Sequence, residues 1–289
     1  MRDYIISTTS TADLPENFKE EHDIVVNYLT FIQDGKEYKD DVNEGLSYTE
    51  FYDRVREGSL SQTSAVNIED ASVMFEKYAK QGIDVLHISF SSGLSSTYNN
   101  ECIAAEDVME RYPDSNIVVI DSLCASMGQG LLVYYAVRMK EKGCSLEEVV
   151  KWVEDNKLHI CHQVTVQDLN HLHRGGRVSK TVAVIGTIVS VKPVIYVNDE
   201  GKLIPFKNVR GRKKSLTVLV DDMIEKIEGY DNEIVYIGHG DCEEDAEFVK
   251  QQVIERTGIT NVVIGYLGAV IGSHAGPGTV ALFFLGKNR

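Results

Sequence analysis

Val85-Leu86-His87-Ile88, running on through Ser89-Phe90-Ser91-Ser92-Gly93-Leu94-Ser95-Ser96-Thr97-Tyr98, decides how this chain is read. The opening apolar run has the character of a buried strand. Asn99 to Arg111 then offers Ile103, Ala104 and Val108 as the apolar face of a helix. A strand that passes through a hydroxyl-rich, glycine-bearing turn into a helix leaves backbone N–H groups unpaired. With the positive end of the helix dipole, those groups can seat an anion. The competing reading is plain capping of the helix by Ser or Thr.

Working outward, strands and helices alternate. Tyr4 to Ser7 and Val25 to Phe31 read as strands, with a turn at Gly35 and the acidic run after it. Ser47 to Arg56 and Ile68 to Ala79 have helical spacing, with Ser47 and Asn67 as caps. A strand at Ile117 to Ile120 is followed by helices from about Gly128 to Lys140 and from Leu146 to Asn156. This alternation predicts a mostly parallel sheet with flanking helices over residues 1–157.

Beyond that the rhythm changes. Leu158 to Val164 reads as a strand and Lys180 to Val189 as an apolar helix. Val194 to Val197 and Lys202 to Val209 flank a hairpin turn, Asn198-Asp199-Glu200-Gly201. Helices at Lys213 to Ile227 and Glu244 to Arg256 alternate with strands at Ile234 to Gly238, Val262 to Leu267 and Val280 to Leu285. Residues 158–289 therefore read as a second, mixed α/β domain. The expected fold class is α/β, with two domains and a cleft between them.

Composition narrows the function. The chain has 289 residues, 43% of them hydrophobic, which suits globular cores. A formal net charge of −15 argues against nucleic-acid binding, which relies on neutralising phosphates. Yet Arg174 to Lys214 carries ten Lys or Arg against only Asp199 and Glu200, leaving 19 basic and 42 acidic residues elsewhere. A basic segment on an acidic protein points to an anion or acidic partner met there. Neither a secretory signal nor a membrane span is expected, so the protein reads as cytoplasmic and not integral to a membrane. The five cysteines, Cys102, Cys124, Cys144, Cys161 and Cys242, lack ligand spacing. They fit reduced thiols, and no metal or other cofactor is expected.

Three strand ends in the first half carry small polar residues: Ser7 to Pro15, Ser91 to Thr97, and Asp121 to Gly130. Ligands of parallel sheets collect beyond the carboxyl ends of the strands. Within these turns, Ser10-Thr11-Ala12-Asp13-Leu14-Pro15, Ser91 to Tyr98, and Asp121-Ser122 with Ala125-Ser126-Met127-Gly128-Gln129-Gly130 resemble the DegV family. So do Arg174-Gly175-Gly176-Arg177-Val178-Ser179, Val209 to Ser215 and His274-Ala275-Gly276-Pro277-Gly278, all in the family's order.

The resemblance implies a two-domain DegV-like fold with an acyl chain held in a tunnel between the domains. It implies a long-chain fatty acid such as palmitate as ligand. It also implies an ATP-binding fatty acid kinase subunit as the partner that phosphorylates the presented carboxylate. The carrier itself is then non-catalytic, with room for transient contact with a membrane surface. By the same resemblance Thr63, Ser95, the Ser96 N–H and His274 hold the carboxylate. Ser92, Gly93, Asp121 and Ser122 belong to the supporting loops, and Arg177 with Arg210 or Arg212 meets the kinase. Thr9 stands where the family usually has Asp, and Ala65-Val66-Asn67 replaces a proline-containing turn.

Two other functions share these residues. An acyl-ester hydrolase would use Ser95 as nucleophile, His274 as base and Asp121 as orienter, although no G-x-S-x-G elbow is present. A phosphate- or nucleotide-binding enzyme would use the serine turn, although the Walker pattern is missing. For chain selectivity, Val182 to Val189 and Phe283-Phe284 are candidates, each read more readily as ordinary core.

Overall fold

A computed structural model describes residues 2–167, 169–179 and 190–289. The first sheet is built from β1 (Tyr4–Thr9), β2 (Val25–Asn27), β6 (Asp84–Ser89) and β7 (Ile117–Asp121), in the order β2-β1-β6-β7 and parallel throughout. Alternation of side chains sorts its two faces. Tyr4, Ile6, Leu86, Ile88 and Ile120 face α5 (Met127–Glu141) and α6 (Leu146–Asn156). Val85 and Ile117 face α3 (Ile68–Ala79) and α4 (Thr97–Arg111).

The second sheet has the order β10-β9-β8-β13-β11-β12. It comprises β8 (Ile160–Thr165), β9 (Val191–Val197), β10 (Leu203–Arg210), β11 (Val235–His239), β12 (Val262–Tyr266) and β13 (Val280–Leu285). Only β11 and β12 run parallel; the other pairs are antiparallel. One face is covered by α8 (Arg212–Lys226) and α9 (Glu243–Thr257).

The other face meets α5, which touches β1 and β6 of the first sheet and β8, β11 and β13 of the second. Nearly every residue from Met127 to Val137 is buried. A helix apolar on all sides belongs between two layers, and α5 is that shared layer.

Helices α2 (Tyr48–Arg56) and α3 begin where the sequence places them, with the Ser47 and Asn67 side chains accepting from the N–H groups of Glu50 and Glu69. The span read as one strand, Val25 to Phe31, is broken. The chain leaves the first sheet after Asn27 and starts a separate small sheet, ordered β4-β3-β5, from β3 (Thr30–Gln33), β4 (Lys36–Lys39) and β5 (Ser61–Ser64). The expected turn at Gly35 is the tip of its hairpin. Asp34 and Gly35 both take positive φ, the requirement of a two-residue hairpin turn. The expected helix Lys180 to Val189 lies outside the described residues.

Because α5 is common to both layers, its core should be expensive to hollow. Leu131→Ala, at a fully buried position, is expected to cost about 2–5 kcal/mol, read as a lower urea midpoint in circular dichroism.

Candidate functional site

Where α5 stops filling the gap between the sheets, a cavity begins. It has a volume of about 300 Å³, in the range of small-molecule pockets. Its walls are mostly apolar: Phe90 and Leu94 from the first sheet's side, Val164, Ile195 and Phe283 from the second sheet, Val270 and Ile271 from α10 (Ala269–Ala275). Ala125 and Ser126, just before α5, close the wall nearest that helix. Of the two candidate selectivity residues at the last strand, Phe283 lines the cavity while Phe284 sits in the opposite-face core. The segment Val182 to Val189 lies outside the described residues.

The lining also carries polar groups, among them Thr63 from β5, Ser95 and Ser96 from the serine turn, His274 from α10, and Arg177, with Thr63, His274 and Arg177 adjoining one another. Thr63 Oγ1 and His274 Nε2 are 2.8 Å apart. Burial, then the neighbouring Arg177 charge, pushes the His274 pKa down to about 4, so the ring is neutral near pH 7. Its Nδ1 is sealed and has no hydrogen-bond partner among the described residues. With the proton on Nε2 and donated to Thr63, no buried donor is left unpaired at Nδ1. That frees the Thr63 hydroxyl proton for a ligand. The fit also explains Gly175: a Cβ at that position would collide with His274 Nδ1.

Arg177 is half-buried. Its Nε donates to the Leu94 carbonyl at 3.1 Å and its Nη1 to the Gly175 carbonyl. Both partners are neutral, and no carboxylate among the described residues pairs with it. A half-buried cation in the wall of an apolar cavity attracts an anion.

Ser95 both caps and faces the cavity. Its Oγ accepts from the Thr97 N–H at 3.2 Å and lies 2.9 Å from Thr97 Oγ1, which itself accepts from the Val66 N–H. Either hydroxyl can donate in that pair; when Thr97 donates, the Ser95 proton is available to a ligand in the cavity. Asn100 holds the Val66 carbonyl at 2.8 Å. The segment after Thr63 is thus tied to α4 by both its N–H and its C=O, and no proline is needed there.

The remaining sequence candidates lie outside the lining. Asp121 Oδ1 accepts from the N–H groups of Ser92 and Leu123, joining the two turns, and Ser122 Oγ accepts from the Cys124 N–H. Gly93 leaves space for the β9–β10 hairpin, since a Cβ there would collide with the Glu200 carbonyl. Arg210 is exposed at the end of β10. Arg212 is committed to Asp245 at 2.8 Å and the Gly278 carbonyl at 2.6 Å.

The hydrolase arrangement is not assembled. Ser95 pairs with Thr97, His274 with Thr63, and Asp121 with backbone. Thr9, in the family's aspartate position, joins a neutral buried network with Thr11 and the Gln129 amide. His162 is a satisfied core histidine. Its Nε2 accepts from the Ala125 N–H and its Nδ1 donates to the Ile160 carbonyl, while burial pushes its pKa down to about 3. No cluster of three or more metal-ligating side chains occurs among the described residues. No helix among them is long and apolar enough to cross a membrane.

Sequence reasoning missed His162 and Ser126 as lining residues, and two buried carboxylates, Asp13 and Asp40, behind the site. The one available signal for Asp13 was its place in the first small-residue turn.

The geometry defines a class: an α/β protein with two main sheets around a shared helix, enclosing an apolar cavity with a polar corner. The chain belongs to the DegV family, whose profile, described as an uncharacterised protein of that family, matches residues 4–287. It is 45% identical to a DegV domain-containing protein of Clostridium perfringens over 291 residues, covering 100% of this chain and 99% of that one. A stearic acid-binding protein from Eubacterium ventriosum superposes with a TM-score of 0.89 at 29% identity, covering 98% of each chain. A fatty-acid-binding DegV family protein from Thermus thermophilus gives 0.88 at 29% identity, over 99% of this chain and 100% of that one.

The electrostatics can be checked directly. His274 is expected to titrate near pH 4 in ¹H–¹³C NMR. Arg177→Gln removes the second cause of the depression and should raise that midpoint. A folded-state pKa below the usual 6.5 means that stability is lost as pH falls from about 6.5 towards 4.

Proposed function

We propose that this protein holds a long-chain fatty acid such as palmitate in the cavity and presents its carboxylate to an ATP-binding kinase subunit, which phosphorylates it. The carrier itself is non-catalytic in this reading, and residues 1–157 and 158–289 are the two domains that enclose the ligand. The observation that carries the reading is the pairing of an apolar cavity with a polar corner: Thr63, Ser95, His274 and Arg177, which has no acidic partner among the described residues.

The energetics agree with it. Burying about sixteen carbons at roughly 0.8 kcal/mol per methylene supplies on the order of 10 kcal/mol before ordering costs. A carboxylate leaving water is expensive unless it is hydrogen-bonded and its charge is met. Thr63 and Ser95 hydroxyls supply donors, and Arg177 supplies the counter-charge from within the cavity wall.

Arg177 therefore moves from the partner side to the ligand side of the reading. Arg210 remains the exposed arginine suited to a kinase encounter. Arg212, bound to Asp245, holds the Gly278 turn in place. The five free thiols suit a reducing cytoplasm, and delivery by transient contact with a membrane surface belongs to the same picture.

Mass spectrometry of lipid extracted from the purified protein is expected to return a long-chain fatty acid. Arg177→Gln should weaken palmitate binding about tenfold or more, the loss of a charge-assisted contact worth about 1.5–3 kcal/mol. Thr63→Val should weaken it less. Extracts without lipid, together with no palmitate binding by calorimetry, would refute the carrier. Palmitate binding with no acyl phosphate formed by any ATP-binding partner subunit would refute only the presentation step.

A further inference from the structure

Helix α10 carries His274 near its end, and its beginning is gripped by residues from far away in the chain. Asp13, in the turn after β1, accepts from the Gly268 N–H at 3.0 Å through Oδ1 and from the Ser126 hydroxyl at 2.5 Å through Oδ2. Asp40, just after β4, accepts from the Val270 N–H at 3.2 Å. Tyr52 of α2 donates to the Leu267 carbonyl at 2.9 Å. The two carboxyl groups flank Gly268 and line a common void of about 20 Å³, room for a single water-sized occupant. Asp40 Oδ2 is sealed from solvent with no hydrogen-bond partner among the described residues.

We propose that Asp13 and Asp40 are positioning residues for the head-group site: a carboxyl pair that clamps the start of α10 and so holds His274 against Thr63. Asp13 has a second attachment, because the Ser126 it binds is a wall of the cavity. One buried carboxyl thus links the apolar wall to the helix that supplies the head-group histidine. The proposal rests on the reading that Thr63 and His274 receive the ligand carboxylate.

Two buried carboxylates facing one void repel each other if both ionise, and removal from water opposes the charge on each. Burial raises the pKa of both groups, that of Asp13 well above the ordinary carboxylate range. The other titratable groups around them are Lys19 of α1 (Glu16–Glu21), Tyr48 and Tyr52 of α2, and Tyr28 and Asp41. A carboxyl whose folded pKa is raised gives its full stabilisation below the unfolded value and loses it as pH rises through the folded one. The clamp therefore loosens towards alkaline pH, in the direction opposite to the acid-side loss from His274.

The test compares wild type, Asp40→Asn and Asp40→Ala between pH 6 and pH 9, with two readouts. One is the His274 ring resonance of the ligand-free protein, assigned by its loss in His274→Gln. The other is palmitate affinity by calorimetry. In wild type the resonance is expected to shift, and affinity to fall, as pH rises. Asp40→Asn keeps a neutral hydrogen-bonding group in place and should flatten both profiles. Asp40→Ala should displace the resonance at every pH and weaken palmitate at least tenfold. An Asp40→Asn protein with the wild-type pH profile would overturn the proposal, as would an unmoved resonance in Asp40→Ala. If Asp40→Ala does not fold, Asp40→Asn decides alone. If wild type binds no palmitate, the carrier reading fails, while the ligand-free resonance still judges the clamp.

Discussion

One helix shared by two sheets is the constraint on which this architecture depends. Helix α5 lies between the parallel sheet and the inner face of the mixed sheet, touching strands of both, and its burial makes it common property of both. Two sheets held apart by a helix leave a gap wherever the helix ends. At Ser126 the helix ends, and the space beyond it is the apolar cavity. The cavity is thus a consequence of layer packing rather than a groove added to a finished surface.

The corner of that cavity is organised by scarcity of charge. Its hydroxyls and its histidine are neutral, and among the described residues its cation, Arg177, is held by backbone carbonyls rather than by an acid. Asp13 and Asp40 lie at the start of α10, where they accept from the Gly268 and Val270 N–H groups. Negative charge is used as scaffold and positive charge as bait. The proposed fatty acid would meet both requirements of such a corner, its tail in the apolar space and its head against Arg177.

Much of the fold could be read from the sequence because local periodicity and capping agree with the final structure. The Ser47 and Asn67 caps, the Asn198 to Gly201 turn and the strand–turn–helix at Val85 to Arg111 all depend on near neighbours in the chain. The small sheet escaped because β3, β4 and β5 are only four residues each, and Ser61-Gln62-Thr63-Ser64 has no apolar alternation to announce it. That strand nevertheless carries Thr63. Of the candidate site residues, Thr63, Ser95, Ser96, His274 and Arg177 share one cavity wall, whereas Asp121, Ser122 and Arg212 serve loops. An acid or arginine that holds a turn has the same one-letter code as one that holds a ligand.

The sequence alone determined the α/β class, the family, the three small-residue turns and the basic segment, because each is written in neighbouring residues. Tertiary structure decided which of those turns face a cavity, that His274 meets Thr63 across 211 positions, and that Arg177 lacks an acidic partner among the described residues. It also brought Asp13 and Asp40 to one helix end. The reason is physical: hydrogen bonds and burial between distant segments depend on how the layers stack, and stacking leaves no local trace in the order of residues.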